Sequence, residues 1–229
     1  MSRERFVDLP GSAAARGFIG IARSQDQVAM YALANNLFSV VSRLVKSRYH
    51  MIQTLDAIPE VSGSSPLYDC IVLACAEEFR QRPLERNALI VITDGADNQL
   101  SGTTLPSAVP FDRLRRAASG MDAIIYPVLL EPRPGVFDPM SKLDPQRWAR
   151  LAVEQMEQLA RATGGRCFKA RAITAMASVY PLVAAELRSV YSLGYSPKNQ
   201  HFDGTWRRIE VRVNRRGAHV RTRPGYYAR

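Results

Sequence analysis

The chain has 229 residues, 46% of them hydrophobic, and a formal charge of +10. That length supports one large α/β domain with its own core, and no apolar run reaches the roughly 18 residues that a membrane-crossing helix needs. Cys70, Cys75 and Cys167 are too few and too scattered for a disulfide framework or a metal cluster, and Met1 to Arg5 leads into no apolar segment of the kind that marks a secretory signal.

Met1 to Gly11 reads as irregular. Ser12 to Arg23 predicts a first helix through Phe18, Ile19 and Ile21, weakened by Gly17 and Gly20. Gln27 to Leu33 predicts a strand, Asn35-Asn36 a turn, and Phe38 to Val45 an antiparallel edge strand beside it. Ser47 to Ile58 has helical spacing through Tyr49, Ile52, Leu55 and Ile58, and stops at Pro59.

A small-residue loop, Gly63-Ser64-Ser65-Pro66, opens a helix predicted over Leu67 to Phe79. Next comes the run Leu89-Ile90-Val91-Ile92, which ends abruptly at Thr93-Asp94-Gly95. A continuous Ile/Val/Leu run bounded by turn residues reads as a strand buried on both faces, here Asn87 to Thr93, and ligands gather at the carboxyl ends of such strands in parallel sheets. Asp94 is therefore a candidate site residue at the sheet rim. Asp97 adds negative charge nearby and is not assigned as a ligand. Ser101 to Pro110 is a polar loop, followed by a helix through Leu114 and Ala118 and a buried strand over Ala123 to Leu130.

Glu131 to Asp144, with Pro132, Pro134, Gly135 and Pro139, predicts a surface insertion. A long helix follows, with Asp144 as cap, Pro145 in its first turn and a stop at Gly164-Gly165. Cys167-Phe168 predicts a short strand, Ile173 to Arg188 a helix and Val190 to Tyr195 a strand. Trp206 to Val213 and His219 to Arg223 predict a hairpin turning at Arg216-Gly217. Between His201 and Arg229 lie eight arginines against Asp203 and Glu210, so this extension is basic. The alternation of strands and helices argues for a Rossmann-like, mostly parallel α/β sheet flanked by helices.

The Ser65 loop, Thr93-Asp94-Gly95 and Asp26-Gln27-Val28-Ala29 resemble pieces of the von Willebrand factor type A domain. Ala162-Thr163-Gly164-Gly165, Glu186-Leu187-Arg188, Tyr191-Ser192-Leu193-Gly194-Tyr195, Asp203-Gly204 and Arg223-Pro224-Gly225-Tyr226-Tyr227 extend the resemblance to a bacterial, Acidobacteria-type subgroup, from about Ser12 to Ala228. The family's Asp-x-Ser-x-Ser loop has no counterpart; Asp8-Leu9-Pro10-Gly11-Ser12 imitates it, with Pro10 in place of the first serine. The resemblance implies that this loop, and the central strand before it, lie upstream of Met1. Residues 12–200 are then a truncated domain of this type, with 201–229 a hairpin extension packed on it. The strands beginning near Gln27 and Asn87 are expected to face a gap where the central strand would run.

The resemblance further implies a metal-ion-dependent adhesion site holding Mg²⁺ or Mn²⁺, with Ser65 at the family's threonine position and Asp94 as the second ligand. It also implies a non-catalytic module that grips an acidic protein partner through the cation, and it leans towards an exported protein. Two oxygen ligands are too few to hold Mg²⁺ against its hydration, so the site is expected to be incomplete in this chain. The alternative for Ser65 is a helix cap, and for Asp94 a turn cap. Two rival functions stay open: a hydrolase using Ser65 or Cys70, for which no Gly-x-Ser-x-Gly elbow or other catalytic motif is present, and a basic extension that binds nucleic acid or anionic surfaces.

Overall fold

The computed structural model describes residues 10–34, 37–56, 66–79, 86–93, 97, 100, 106–130, 144–171 and 175–228. The elements run α1 (Pro10–Ile21), β1 (Val28–Ala34), β2 (Leu37–Val45), α2 (Arg48–Asp56), α3 (Leu67–Glu78) and β3 (Ala88–Thr93). They continue with α4 (Phe111–Ala118), β4 (Ile124–Leu130), α5 (Pro145–Thr163), β5 (Phe168–Ala170), α6 (Met176–Arg188), β6 (Trp206–Arg208) and β7 (Gly225–Tyr227). The first helix starts at Pro10, two residues before the sequence places it.

β3, β4 and β5 form a parallel ladder in that order, with Ala88 opposite Ile124 and Val128 opposite Phe168. Alternation along these strands sends side chains to two apolar layers. On one side Val91, Ile125 and Leu129 pack with Leu67, Tyr68 and Ile71 of α3, Leu114 of α4, and Met156 and Leu159 of α5. On the other, Tyr126, Val128 and Phe168 pack with Met176, Val179 and Val183 of α6, and Phe18 of α1 joins them. Helices thus cover both faces, which explains why β3 and β4 are apolar throughout.

The long helix has the boundaries its sequence encodes. Asp144 caps it by accepting the Arg147 N–H at 2.9 Å, Pro145 stands in the first turn, and Gly164 closes it in the left-handed conformation at φ 81°. Its last residue, Thr163, donates its hydroxyl to the Ala160 carbonyl and accepts the Ile125 N–H at 2.9 Å, fastening α5 to β4. Gly17 serves packing: a Cβ there would lie 1.9 Å from the Tyr180 ring, so its absence lets α1 meet α6, where the Phe18 and Tyr180 rings stand edge to face 4.7 Å apart.

β1 and β2 form a separate antiparallel pair, from Val28 opposite Val45 to Ala34 opposite Leu37. Ile19, Met51 and Leu55 of α1 and α2 bury its Val28, Met30 and Val45. The Tyr31 hydroxyl donates to Glu78 at the end of α3, and Arg43 pairs with Glu77 at 3.1 Å, so the pair is anchored to the helix that also backs β3. Among the described residues no ladder joins β1 to β3.

Two sequence expectations are corrected here. Val190 to Tyr195 is not a strand; Tyr191, Leu193 and Tyr195 are 86%, 73% and 60% exposed, and a strand without a neighbouring ladder has nothing to order it. The carboxyl-terminal hairpin turns where expected, the Ala218 N–H closing onto the Arg215 carbonyl, but its ladder is shorter and lies away from the turn: Trp206 faces Tyr227 and Arg208 faces Gly225, while 210–213 and 219–223 form no strand. The Trp206 and Tyr227 rings pack edge to face at 4.9 Å across that ladder. Among the described residues no helix is long and apolar enough to cross a membrane.

Candidate functional site

The candidate site is the rim where β3 ends and α3 begins. Ser65 and Asp94, the two residues assigned to it from sequence, lie outside the described residues, as do the Asp8 and Leu9 of the imitation loop, whose Pro10, Gly11 and Ser12 belong to α1. What the structure places at this rim is a network that sequence reading did not assign.

Pro66 occupies the cap position of α3 and makes no side-chain cap hydrogen bond, leaving the first N–H groups of the helix to find acceptors elsewhere. They find them across the fold. The Asp97 carboxylate, 1% exposed, accepts the Tyr68 N–H at 3.0 Å, and the Ser107 hydroxyl accepts the Asp69 N–H at 3.4 Å. Ser107 in turn donates to the same Asp97 oxygen at 2.6 Å, a short charge-assisted bond. Asp69 returns the contact by accepting the Ala108 and Val109 N–H groups, each at 2.8 Å, with its two oxygens.

The positive end of the α3 dipole is thereby met by two carboxylates, and the segment leading from β3 towards α4 is tied to α3 at both Asp97 and Ser107–Val109. Burial, with the Asp97 charge close by, raises the Tyr68 phenol above its usual range, and that hydroxyl donates to Gln155 of α5. Hydrogen bonds thus tie the start of α3 both to Asp97 and Ser107–Val109 and, through Tyr68, to α5.

Asp97 was legible only as a nearby charge. The signal that could have found it is the combination of Asp-x-x-Asp after the buried strand, a downstream serine, and a helix start at Leu67 whose cap position holds proline.

The carboxylates described here do not by themselves form a cation site. Both oxygens of Asp69 and Oδ2 of Asp97 are engaged by N–H and O–H donors, and among the described residues no three His, Cys, Asp or Glu side chains converge to hold a metal ion. Cys70 is no better placed as a nucleophile. A helix start can lower a thiol pKa, but here burial, with Asp69 and Asp97 nearby, pushes the thiol up to about 12. Burial likewise raises Cys75 to about 12 and Cys167 to about 11.

Compared with solved structures, the chain is similar to an aerotolerance-related membrane protein from Bacteroides fragilis, with a TM-score of 0.55 and 14% identity over 79% of this chain and 88% of that one. It is similar to a von Willebrand factor type A protein from Catenulispora acidiphila, with a TM-score of 0.55 and 14% identity over 78% of this chain and 37% of that one. The SpRpn10 VWA domain matches with a TM-score of 0.51 and 11% identity, over 76% of this chain and 83% of that one. No family model and no curated protein sequence matches. These likenesses establish the architecture: the chain has a von Willebrand type A-like α/β fold.

Proposed function

We propose that this domain is a non-catalytic protein-interaction module whose contact surface is the rim formed by the start of α3 and the segment after β3. The observation that carries the reading is the Asp97–Ser107–Asp69 frame, which ties Asp97 and Ser107–Val109 to the start of α3 beyond the carboxyl end of β3, where ligand sites of such folds lie. A surface organised before binding loses less ordering entropy on association. The protonated Cys70 thiol supports a role without covalent chemistry.

In its complete form such a rim would take an acidic side chain of the partner through Mg²⁺ or Mn²⁺, with Ser65 and Asp94 as the candidate ligands. Those two oxygens alone do not complete an octahedral site, and no step of the reading depends on the ion.

The test is selection of binding peptides from a random displayed library against the full chain, followed by amide hydrogen exchange with each selected peptide bound. Protection concentrated at residues 66–70 and 106–110 is the expected result. Peptides that protect other surfaces only, or an absence of specific binders, would remove the rim as an interaction site. Repeating the selection with chelator separates a metal-bridged contact, which is lost, from a metal-independent one.

A further inference from the structure

A second concavity lies at the end of the sheet opposite the rim. Thr163, the last residue of α5, bonds Ile125 at the start of β4, and α4 leads into the same strand, so both helices finish beside the amino end of the ladder. There the two helix ends and the β6–β7 pair enclose a cavity of about 640 Å³. Arg115 and Arg116 of α4, Arg161 of α5 and Arg221 line it together with Trp206 and Tyr227, and among the described residues lining it none is acidic.

Arginines in a last helical turn commonly serve the helix itself, by donating to its final carbonyls. Here those carbonyls have other donors. The Ser119 N–H takes the Arg115 carbonyl and the Ser119 hydroxyl that of Arg116, while the Gly120 and Met121 N–H groups take those of Ala117 and Ala118. At the end of α5 the Gly164 N–H takes the Arg161 carbonyl and the Gly165 N–H that of Ala160. The helix dipoles favour the charge of these guanidinium groups but leave their donors free for another acceptor.

Carboxylates nearby do not balance them. Arg115 pairs with Asp112 at 3.5 Å, Arg161 shares Glu157 with Lys169 at 3.7 and 2.9 Å, and Arg221 shares Glu186 with Arg166. Arg116 has no ion pair among the described residues, so six cations stand against three carboxylates. The long, exposed pairs of Arg115 and Arg161 contribute little and exchange readily for a stronger anion. Beside them stands a fixed aromatic surface. The Trp206 indole lies over Gly225, where a Cβ would be 2.6 Å from its ring, and meets Tyr227 edge to face, yet Trp206 is 43% exposed.

We propose that this cavity binds a small phosphorylated molecule with a planar ring, of the nucleoside phosphate class, its phosphates held by Arg115, Arg116 and Arg161 and its ring against Trp206. A phosphate brings nearly two charges and three acceptor oxygens, enough to engage several guanidinium groups at once, whereas a carboxylate is matched by one. The ring follows from the half-exposed indole, a stacking surface for a base. A concave site of this volume falls in the range of about 300–1,000 Å³ that suits a small molecule rather than a macromolecule. Arg221 keeps its contact with Glu186 and holds the wall of the cavity in place.

The experiment titrates the full chain with the 5′-diphosphates of adenosine, guanosine, cytidine and uridine in turn, by calorimetry and by tryptophan fluorescence. Trp206 is the reporter, because the other tryptophan, Trp148, is buried. At least one diphosphate is expected to bind with a dissociation constant below about 1 mM and to quench the emission. Pyrophosphate, which lacks the ring, and the matching nucleoside, which lacks the charge, are each expected to bind more weakly by about tenfold or more. The paired variant Arg116→Gln/Arg161→Gln changes two exposed side chains and is expected to lose about tenfold or more in affinity while keeping its melting temperature. Failure of every diphosphate to bind, or an affinity unchanged in the variant, would overturn the proposal. So would pyrophosphate binding as tightly as the diphosphates, which would mark an adventitious anion site only.

Discussion

The Asp97 carboxylate accepts the backbone N–H of Tyr68 at 3.0 Å, so a residue after β3 caps a helix that begins 29 residues earlier in the chain. The cap is nonlocal because Pro66 at the local cap position supplies no side-chain acceptor. Asp97→Ala would leave the Tyr68 N–H and the Ser107 hydroxyl without their buried acceptor, at about 1–3 kcal/mol for each orphaned donor. Urea unfolding is expected to show a loss of about 2–4 kcal/mol for Asp97→Ala. Asp97→Asn retains one acceptor oxygen and is expected to lose less. A loss within about 0.5 kcal/mol for the alanine variant would mean that the frame does not hold the rim together.

The buried thiols and phenols set an alkaline limit. Cys70 and Cys75 rise from an ordinary 9.0 to about 12, chiefly through burial, and Tyr31 and Tyr126 rise from 10.0 to about 12. Each group is a neutral acid when protonated, and its raised folded value means that the unfolded chain gives up the proton first. Between pH 9 and about 12 the folded state therefore binds more protons, and stability falls as pH rises. The contribution is complete below pH 9 and is lost progressively towards 12. Urea midpoints are expected to drop steadily above pH 9, and a flat profile to pH 11 would contradict the burial of these groups. At pH 8, iodoacetamide is expected to label Cys70 and Cys75 on the order of a thousandfold more slowly in the folded chain than in urea.

How far the sequence could be read depends on where each element finds its partners. α5 carries its own instructions: Asp144 and Pro145 start it, Gly164 stops it, and Trp148, Ala152, Met156 and Leu159 supply its buried stripe. The β3 and β4 runs are equally plain, because apolarity on both faces has one meaning in a chain that alternates strands and helices. Val190 to Tyr195 carries the same strand-like composition, but composition cannot supply a neighbour, and those residues stay out of any ladder. In the hairpin the turn at Gly217 is local and visible and sets the register, whereas the ladder forms only at its far end, where the Trp206–Tyr227 contact lies across the whole extension. At the rim, Asp94 and Asp97 are three residues apart and chemically identical, so sequence could not tell which carboxylate turns inward to cap α3.

Gly164 offers a test of packing between α5 and the carboxyl-terminal extension. Its φ of 81° costs an alanine about 1–2 kcal/mol. A Cβ there would also lie 2.8 Å from the Arg223 backbone nitrogen, forcing the extension away from the helix end. Gly217 has a similar φ of 76° but meets nothing within 4 Å, so Gly217→Ala carries the conformational cost alone. Thermal denaturation is expected to rank Gly164→Ala clearly below Gly217→Ala. Equal melting temperatures would mean that residues 222–224 do not rest on the end of α5.

The basic extension looks like a nucleic-acid surface in composition, and its geometry argues for something more modest. Arg207 pairs with Asp203 at 2.9 Å, Arg212 with Glu210 at 2.7 Å, and Arg221 with Glu186 of α6. The Arg223 guanidinium donates to the Ser119 and Met121 carbonyls beyond the end of α4, at 3.4 and 3.1 Å. Two of the eight arginines in this segment, Arg221 and Arg223, thus hold it on the domain, and two more, Arg207 and Arg212, are paired within it. If those contacts persist, at most about four phosphates can be neutralised by the rest, and the slope of log affinity against log salt is expected to be no steeper than about −4. Fluorescence anisotropy with a labelled 20-base-pair duplex, over about 50 to 200 mM salt, measures that slope. A slope near −7 would show that the ion pairs open to receive phosphates, and would move the extension from a structural clasp to a nucleic-acid contact.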